Sequence, residues 1–283
     1  MGCGNWPAIG HRRHGHVLRT NHFAPYNPFM LKTSHSNLSN SHYSKAPIIE
    51  AVIDIQIAPQ SESLLARLQE LADTLKDRLP SQNKINSVRM LVEHNAEDEA
   101  KNKSTTTLDE MGFRLVDEPN TRILQLRKNG FTFSHLPPYS DWASFSKEAK
   151  EYWELFVKYC EPGAAVRTAV RYINRIDIPI EEVEIEAYLN LYPKIPEGIP
   201  QAVQGMHLQL QMPQADIMSM AVINEAVVEP AIPQGFSVIV DIDVFNSLTT
   251  SVPDIWKLLE QLRNRKNDIF ESIITDKTRE LIQ

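Results

Sequence analysis

The stretch TAVRYINRIDIP, Thr168 to Pro179, constrains the fold more than any other part of this chain. Its side chains alternate with the two-residue period of a β-strand. Arg167, Arg171 and Arg175 then share one face with Ala169, Ile173 and Asp177, and Val170, Tyr172 and Ile176 share the other. The apolar face demands a covering layer of helices, and three guanidinium groups opposite it demand water, carboxylates or an anion. The strand is therefore expected inside a sheet that is covered on one side and forms a partly open concavity on the other.

A second stretch, VDIDVF, supplies the acids. Asp241 and Asp243 share a strand face with Ile239 and Phe245. If the two strands are neighbours, Arg171 or Arg175 pairs with Asp241 or Asp243 across the sheet, and Asp177 serves another arginine locally. The competing reading is an anion site, for a nucleotide phosphate or a nucleic-acid backbone, which the planar donors of arginine suit. Pairing is the preferred expectation.

The same periodicities organise the rest. KAPIIEAVIDIQI reads as a strand with one buried face, ended by Pro59. Leu64, Leu68, Leu71, Leu75 and Leu79 then form a helical stripe before Pro80. A strand near Val88–Glu93 precedes the charged run EHNAEDEAKNKSTTTLDE, expected as a long loop. Short strands follow at GFRLVDE, TRILQLRKN and FTFSHL, with Asn129-Gly130 as a tight-turn pair. A helix capped by Ser140 or Asp141 carries Trp142, Phe145, Ala149, Tyr152, Phe156 and Cys160 inward. After the arginine strand come a short helix at EIEAYLNLYP, strands at MHLQLQM, DIMSMAVINE and GFSVIVDIDVF, and a final helix from Pro253. Hairpin links between long helices indicate α+β, a largely antiparallel sheet with long helices packed on one face, in two pseudo-similar halves of about 46–179 and 180–283. No Gly/Ser-rich linker separates those halves, so 46–283 is expected as a single body.

Residues 1–45 differ from this body. They hold five basic residues, no acid and six of the nine histidines, without hydrophobic periodicity. A disordered or loosely attached extension that adds nothing to folding is expected, with Met30 as the alternative natural start. His11, His14 and His16 match no closed metal site, and no metal or cofactor is expected. The net charge is −7 and the acid excess lies wholly in the body, so nucleic acid is expected only at a local basic groove. No apolar run approaches a membrane span, and two cysteines form no disulfide framework; a cytoplasmic protein is expected.

The phrases APIIEAVIDIQI, FTFSHLPPYSDWASF, VRYINRIDIP and VDIDVF, in that order, resemble a sporadically distributed bacterial family of uncharacterised proteins. Its members similarly open on a Pro-hydrophobic-hydrophobic-Glu-Ala strand and carry a central Arg-Tyr-Ile-Asn-Arg strand. The resemblance runs from Pro47 to the C-terminus and carries no catalytic residues over. Its patchy distribution implies an association with mobile elements or phage defence.

Two further candidates need weighing. In SHLPPYSDW, His135 and Tyr139 are placed in a strand-to-helix loop, where backbone N–H groups favour anions and a histidine has general acid/base capacity near neutral pH. The plainer reading is a turn fixed by its two prolines and anchored by Tyr139 and Trp142. The cluster RNRK, Arg263 to Lys266, reads as a solvated helix face. Signatures of P-loop, dinucleotide, nucleophile-elbow and zinc-hydrolase sites are absent from the sequence. The expectation is a non-enzymatic binding or regulatory protein whose partner is another protein or a nucleotide-like ligand, in an undetermined oligomeric state. The alternative is a phosphoester- or nucleotide-acting enzyme: Arg167, Arg171 and Arg175 grip phosphate, His135 is the acid/base, and Asp241 and Asp243 hold a divalent ion.

Overall fold

The alternating segments become strands β1 (Ile48–Ile57), β2 (Ser81–Glu93), β3 (Lys103–Val116), β4 (Arg122–Arg127), β5 (Gly130–His135), β6 (Ala165–Ile178), β7 (His207–Gln214), β8 (Ser219–Val228) and β9 (Phe236–Asn246). They are seen in a computed structural model that describes residues 43–58, 63–93, 103–180, 182–201 and 203–283. All nine join one antiparallel sheet in the order β2-β3-β4-β5-β1-β6-β9-β8-β7. With helices α1 (Leu64–Thr74), α2 (Trp142–Cys160), α3 (Ile255–Ile273) and α4 (Asp276–Ile282), the architecture is α+β. No helix among the described residues is long and apolar enough to cross a membrane.

Strand β6 lies inside the sheet, between β1 and β9. Its even-numbered side chains Val170, Tyr172 and Ile176 are buried in the core, as the alternation requires. On the same face, the odd-numbered side chains of β1 bury Ala51, Ile53, Ile55 and Ile57, and those of β5 bury Phe131 and Phe133. Helix α2 meets that layer through aromatic contacts: Phe145 stacks on Phe133 at 5.6 Å, and Trp153 meets Phe131 edge-on at 5.5 Å. The N-terminus of α2 is capped by Asp141, whose carboxylate accepts from the Ser144 amide at 2.8 Å. Its C-terminus stops at Glu161, in the left-handed conformation with φ 48°.

Several expected boundaries shift. Strand β2 begins at Ser81 rather than near Val88, and β3 begins at Lys103, so STTTLDE is strand rather than loop. Its threonines pair in register with β2, Thr105 opposite Leu91 and Thr106 opposite Met90. Their β-branched preference outweighs the charge that argued for a loop. Val88, Met90 and Leu108 are exposed there, so this ribbon lacks the one-sided burial that would have marked it. The β4–β5 turn is Lys128-Asn129, and Gly130 opens β5, where a Cβ would come within 2.4 Å of the Ile55 carbonyl oxygen. The short helix shrinks to a 3-10 turn at Ile185–Ala187, and the final helix divides into α3 and α4.

The extension also ends earlier than expected. Tyr43 donates its hydroxyl to Glu271 at 2.7 Å, and the Lys45 amide donates to the Ile282 carbonyl at 3.0 Å, so Tyr43–Lys45 belong to the body. The remaining extension, including His11, His14, His16 and Met30, lies outside the described residues.

Candidate functional site

The two faces of the sheet carry two cavities of ≈ 280 Å³ each, with different chemistry. On the open face, odd-numbered residues of β6 meet acids from three strands. Arg171 is held by Asp241 through two parallel bonds, Nε to Oδ1 and Nη2 to Oδ2, both at 2.7 Å. The strand register puts Arg171 opposite Asp243 and Ile173 opposite Asp241, so the pair is diagonal. Arg167 bridges Asp243 at 2.7 Å and Asp54 of β1 at 3.0 Å, and its guanidinium lies 4.4 Å from the centre of the Phe245 ring. Asp54 also accepts from Arg127 of β4 at 2.7 Å and from Thr132 of β5 at 2.6 Å. Arg175 bonds Asp177 at 2.9 Å and the Glu229 carbonyl at 2.6 Å. Asn224 of β8 donates to Asp241 at 3.1 Å.

This face therefore has Arg127, Arg167 and Arg171 facing Asp54, Asp243 and Asp241, charge against charge. The hydrogen bonds to Asp241 hold the Arg171 guanidinium above its usual pKa. Burial lifts the Asp243 carboxyl above the ordinary aspartate range despite the arginines beside it. The expected cross-strand pairing is present, and Asp54, which the sequence reading left out, sits at its centre.

His135 and Tyr139 do not join it. His135 is the last residue of β5, not a loop residue, and shares the parity of Phe131 and Phe133, so its ring lies on the helix-covered face. It is 2% exposed and packed against Tyr139 and Phe145. Burial, reinforced by the charge of Arg122, holds its pKa below the usual histidine value. The set of arginines, aspartates and histidine required for the phosphoester chemistry is thus split between opposite faces. Among the described residues, no group of three or more His, Cys, Asp or Glu could hold a metal ion. Cys160 is buried at the end of α2, and burial pushes its thiol up to about 12, out of nucleophilic range.

Tyr139 belongs to the second cavity. Its hydroxyl lies 2.7 Å from that of Tyr172, and burial pushes the Tyr139 phenol up to about 12. Around them stand Tyr43, Trp142, Asn174 and Phe270, and α3 contributes Arg263, Lys266 and Glu271. Here the expectation of a solvated RNRK face fails. Helix α3 buries Ile255, Leu259, Leu262, Lys266, Phe270 and Ile273, one continuous stripe at three- and four-residue steps in which Lys266 takes a core position. Its ammonium lies 3.8 Å from the centre of the Tyr172 ring, and burial lowers its pKa to about 7. Arg265 points elsewhere and pairs with Asp216. The signal was present in the sequence: the apolar step from Leu262 to Phe270 passes through Lys266.

Compared with protein-family models, with curated proteins and with solved structures, the chain matches none.

Proposed function

We propose that this is a non-enzymatic binding or regulatory protein of the bacterial cytoplasm, of the family its sequence resembles and associated with phage defence or mobile elements. Its ligand site is the cavity between β6, α3 and the start of α2. One observation carries this reading: a lysine in a core position of α3 forms the wall of an aromatic-lined cavity. A buried cation opposes folding, and such positions persist where they serve a site. Supporting it, the arginine row is met by carboxylates of the same sheet, which makes that row an internal brace. We also read the strand order as two pseudo-similar halves: β2–β5 wind back to β1 as β7–β9 wind back to β6, which supports a division before β6 over one near Pro179.

A phosphoester- or nucleotide-acting enzyme on the open face is the second reading. In its favour, Asp243 Oδ1 and Arg127 Nε are buried without hydrogen-bond partners on the wall of that concavity. Turnover assays with nucleotides, phosphoesters and nucleic acids separate the two. No hydrolysis is expected from the purified full chain. Hydrolysis that disappears in Arg171→Ala would overturn the binding reading.

A further inference from the structure

Resting on that assignment of the cavity, we propose that it binds a small organic anion bearing a planar ring, a carboxylate or a phosphate ester, with Lys266 and Arg263 as its charge partners. Some of the charges in the cavity are already answered within the fold. Glu271 accepts from Tyr43 at 2.7 Å and from Arg279 Nε at 3.1 Å. Asp141 caps α2, accepting from the Ser144 amide at 2.8 Å and its hydroxyl at 3.1 Å. The acids on the wall are therefore compensated from within the fold.

The cations are not. Lys266 is 7% exposed and meets the Tyr172 ring face, with no carboxylate bonded to it. Arg263, one turn earlier on the same helix face, donates to the amide of its neighbour Asn264 at 3.0 Å. A ring face offers a cation far less than a carboxylate does. Lys266 and Arg263 therefore keep donor capacity that no carboxylate of the fold takes up, and an anion entering the cavity would engage it. The N-terminus of α2, whose residues Ser140–Trp142 line the same cavity, adds a dipole of the sign that favours an anion.

Shape sets the rest of the ligand. Tyr139, Trp142, Tyr172 and Phe270 give the wall its aromatic surface, which suits a flat ring. A volume of ≈ 280 Å³ lies just below the range of about 300 to 1,000 Å³ usual for ligand sites, so a single ring with one acidic group fits and a dinucleotide does not. Binding carries a proton signature. The titratable groups that line the cavity with Lys266 are Arg263 and Glu271 from its own helix, Tyr172 from β6, Tyr139 and Asp141 from the turn before α2, and Tyr43. With its amine lowered to about 7, Lys266 is partly neutral in neutral buffer, and an anion docking beside it draws a proton from solution.

Titration calorimetry on the full chain tests this, run near neutral pH in two buffers of different ionisation enthalpy. The probes are phenyl phosphate, benzoate and benzyl alcohol. An anionic probe is expected to bind with proton uptake, and the stronger of the two names the acidic group. Lys266→Met should weaken that probe at least about tenfold and abolish the uptake, with benzyl alcohol unchanged. Arg263→Gln, on the half-buried rim, provides the same comparison with little risk to the fold. Benzyl alcohol binding as tightly as the anions, with both variants silent, would overturn the anion inference and leave the cavity as a ligand site. Binding by none of the three up to about 1 mM would overturn the cavity reading itself.

Discussion

Lys266 and Glu225 are ionisable residues whose burial opposes folding. Glu225 on β8 is fully buried, with both carboxylate oxygens unpartnered, and burial lifts its pKa to about 7. A carboxyl with a raised folded pKa contributes most below its unfolded value and loses that contribution as pH rises through the folded one. The native state holds the extra proton between about pH 4.5 and 7, so stability falls across that window, by roughly 3 kcal/mol at most. Lysine runs the other way. Lys266 is depressed to about 7, so the unfolded chain holds more protons from there up to about pH 10, and stability rises with pH over that range. Glu225→Gln should leave the melting temperature unchanged near pH 4 and raise it by several degrees near pH 8. Lys266→Met should raise it at neutral pH, with a gain that shrinks toward pH 10. Thermal melts at these pH values check both, and a Lys266→Met gain that is independent of pH would contradict the depressed amine.

At the scale of elements, the brace between β6 and β9 predicts an asymmetry between single and double substitutions. Arg171→Met leaves the Asp241 side chain, only 8% exposed, with Asn224 as its remaining side-chain donor. Stranding that charge should cost about 2 kcal/mol, at the low end for buried pairs because the Arg171 side chain is 45% exposed. Adding Asp241→Asn removes the stranded charge and should bring stability within about 1 kcal/mol of the parent. Urea unfolding of the parent, the Arg171→Met single variant and the double variant measures this, and equal costs for the single and double variants would contradict the pairing. The faces of β6 and β9 were legible in advance because alternation alone decides them. Asp54 as the partner of Arg167 was not, since it depends on β1 lying against β6, a register between distant segments that no local pattern encodes. His135 was misplaced for a different reason. The Phe131, Phe133, His135 alternation was there to be read, but the prolines after it drew the histidine into the loop. Lys266 was hidden by composition, because the six polar residues from Arg263 to Asp268 outweighed a stripe that only helical stepping shows.

For the whole molecule, the question is whether the two meanders, β2–β5 with β1 and β7–β9 with β6, unfold separately. The seam between them is β1 against β6, registered from Ile48–Asn174 to Ile57–Ala165 at the centre of the sheet. The layer above crosses the same seam. Tyr139, just before α2, bonds Tyr172 of β6, and Trp142 of α2 donates its indole N–H to Glu260 of α3 at 2.6 Å. On the open face, Arg167 of β6 reaches Asp54 of β1, so the brace also spans the division. The ends of the described chain close over it as well, through Tyr43 to Glu271 and the Lys45 amide to the Ile282 carbonyl. Separating the meanders would expose a central strand edge on each side, leave Asp54 and Arg167 without each other and divide a buried cluster that spans both. A single cooperative transition is therefore expected, with calorimetric and van't Hoff enthalpies equal, and Asp54→Asn should lower its midpoint without splitting it. Two resolved transitions, with Asp54→Asn moving only one of them, would show that the sheet is continuous in hydrogen bonding yet divided in cooperativity.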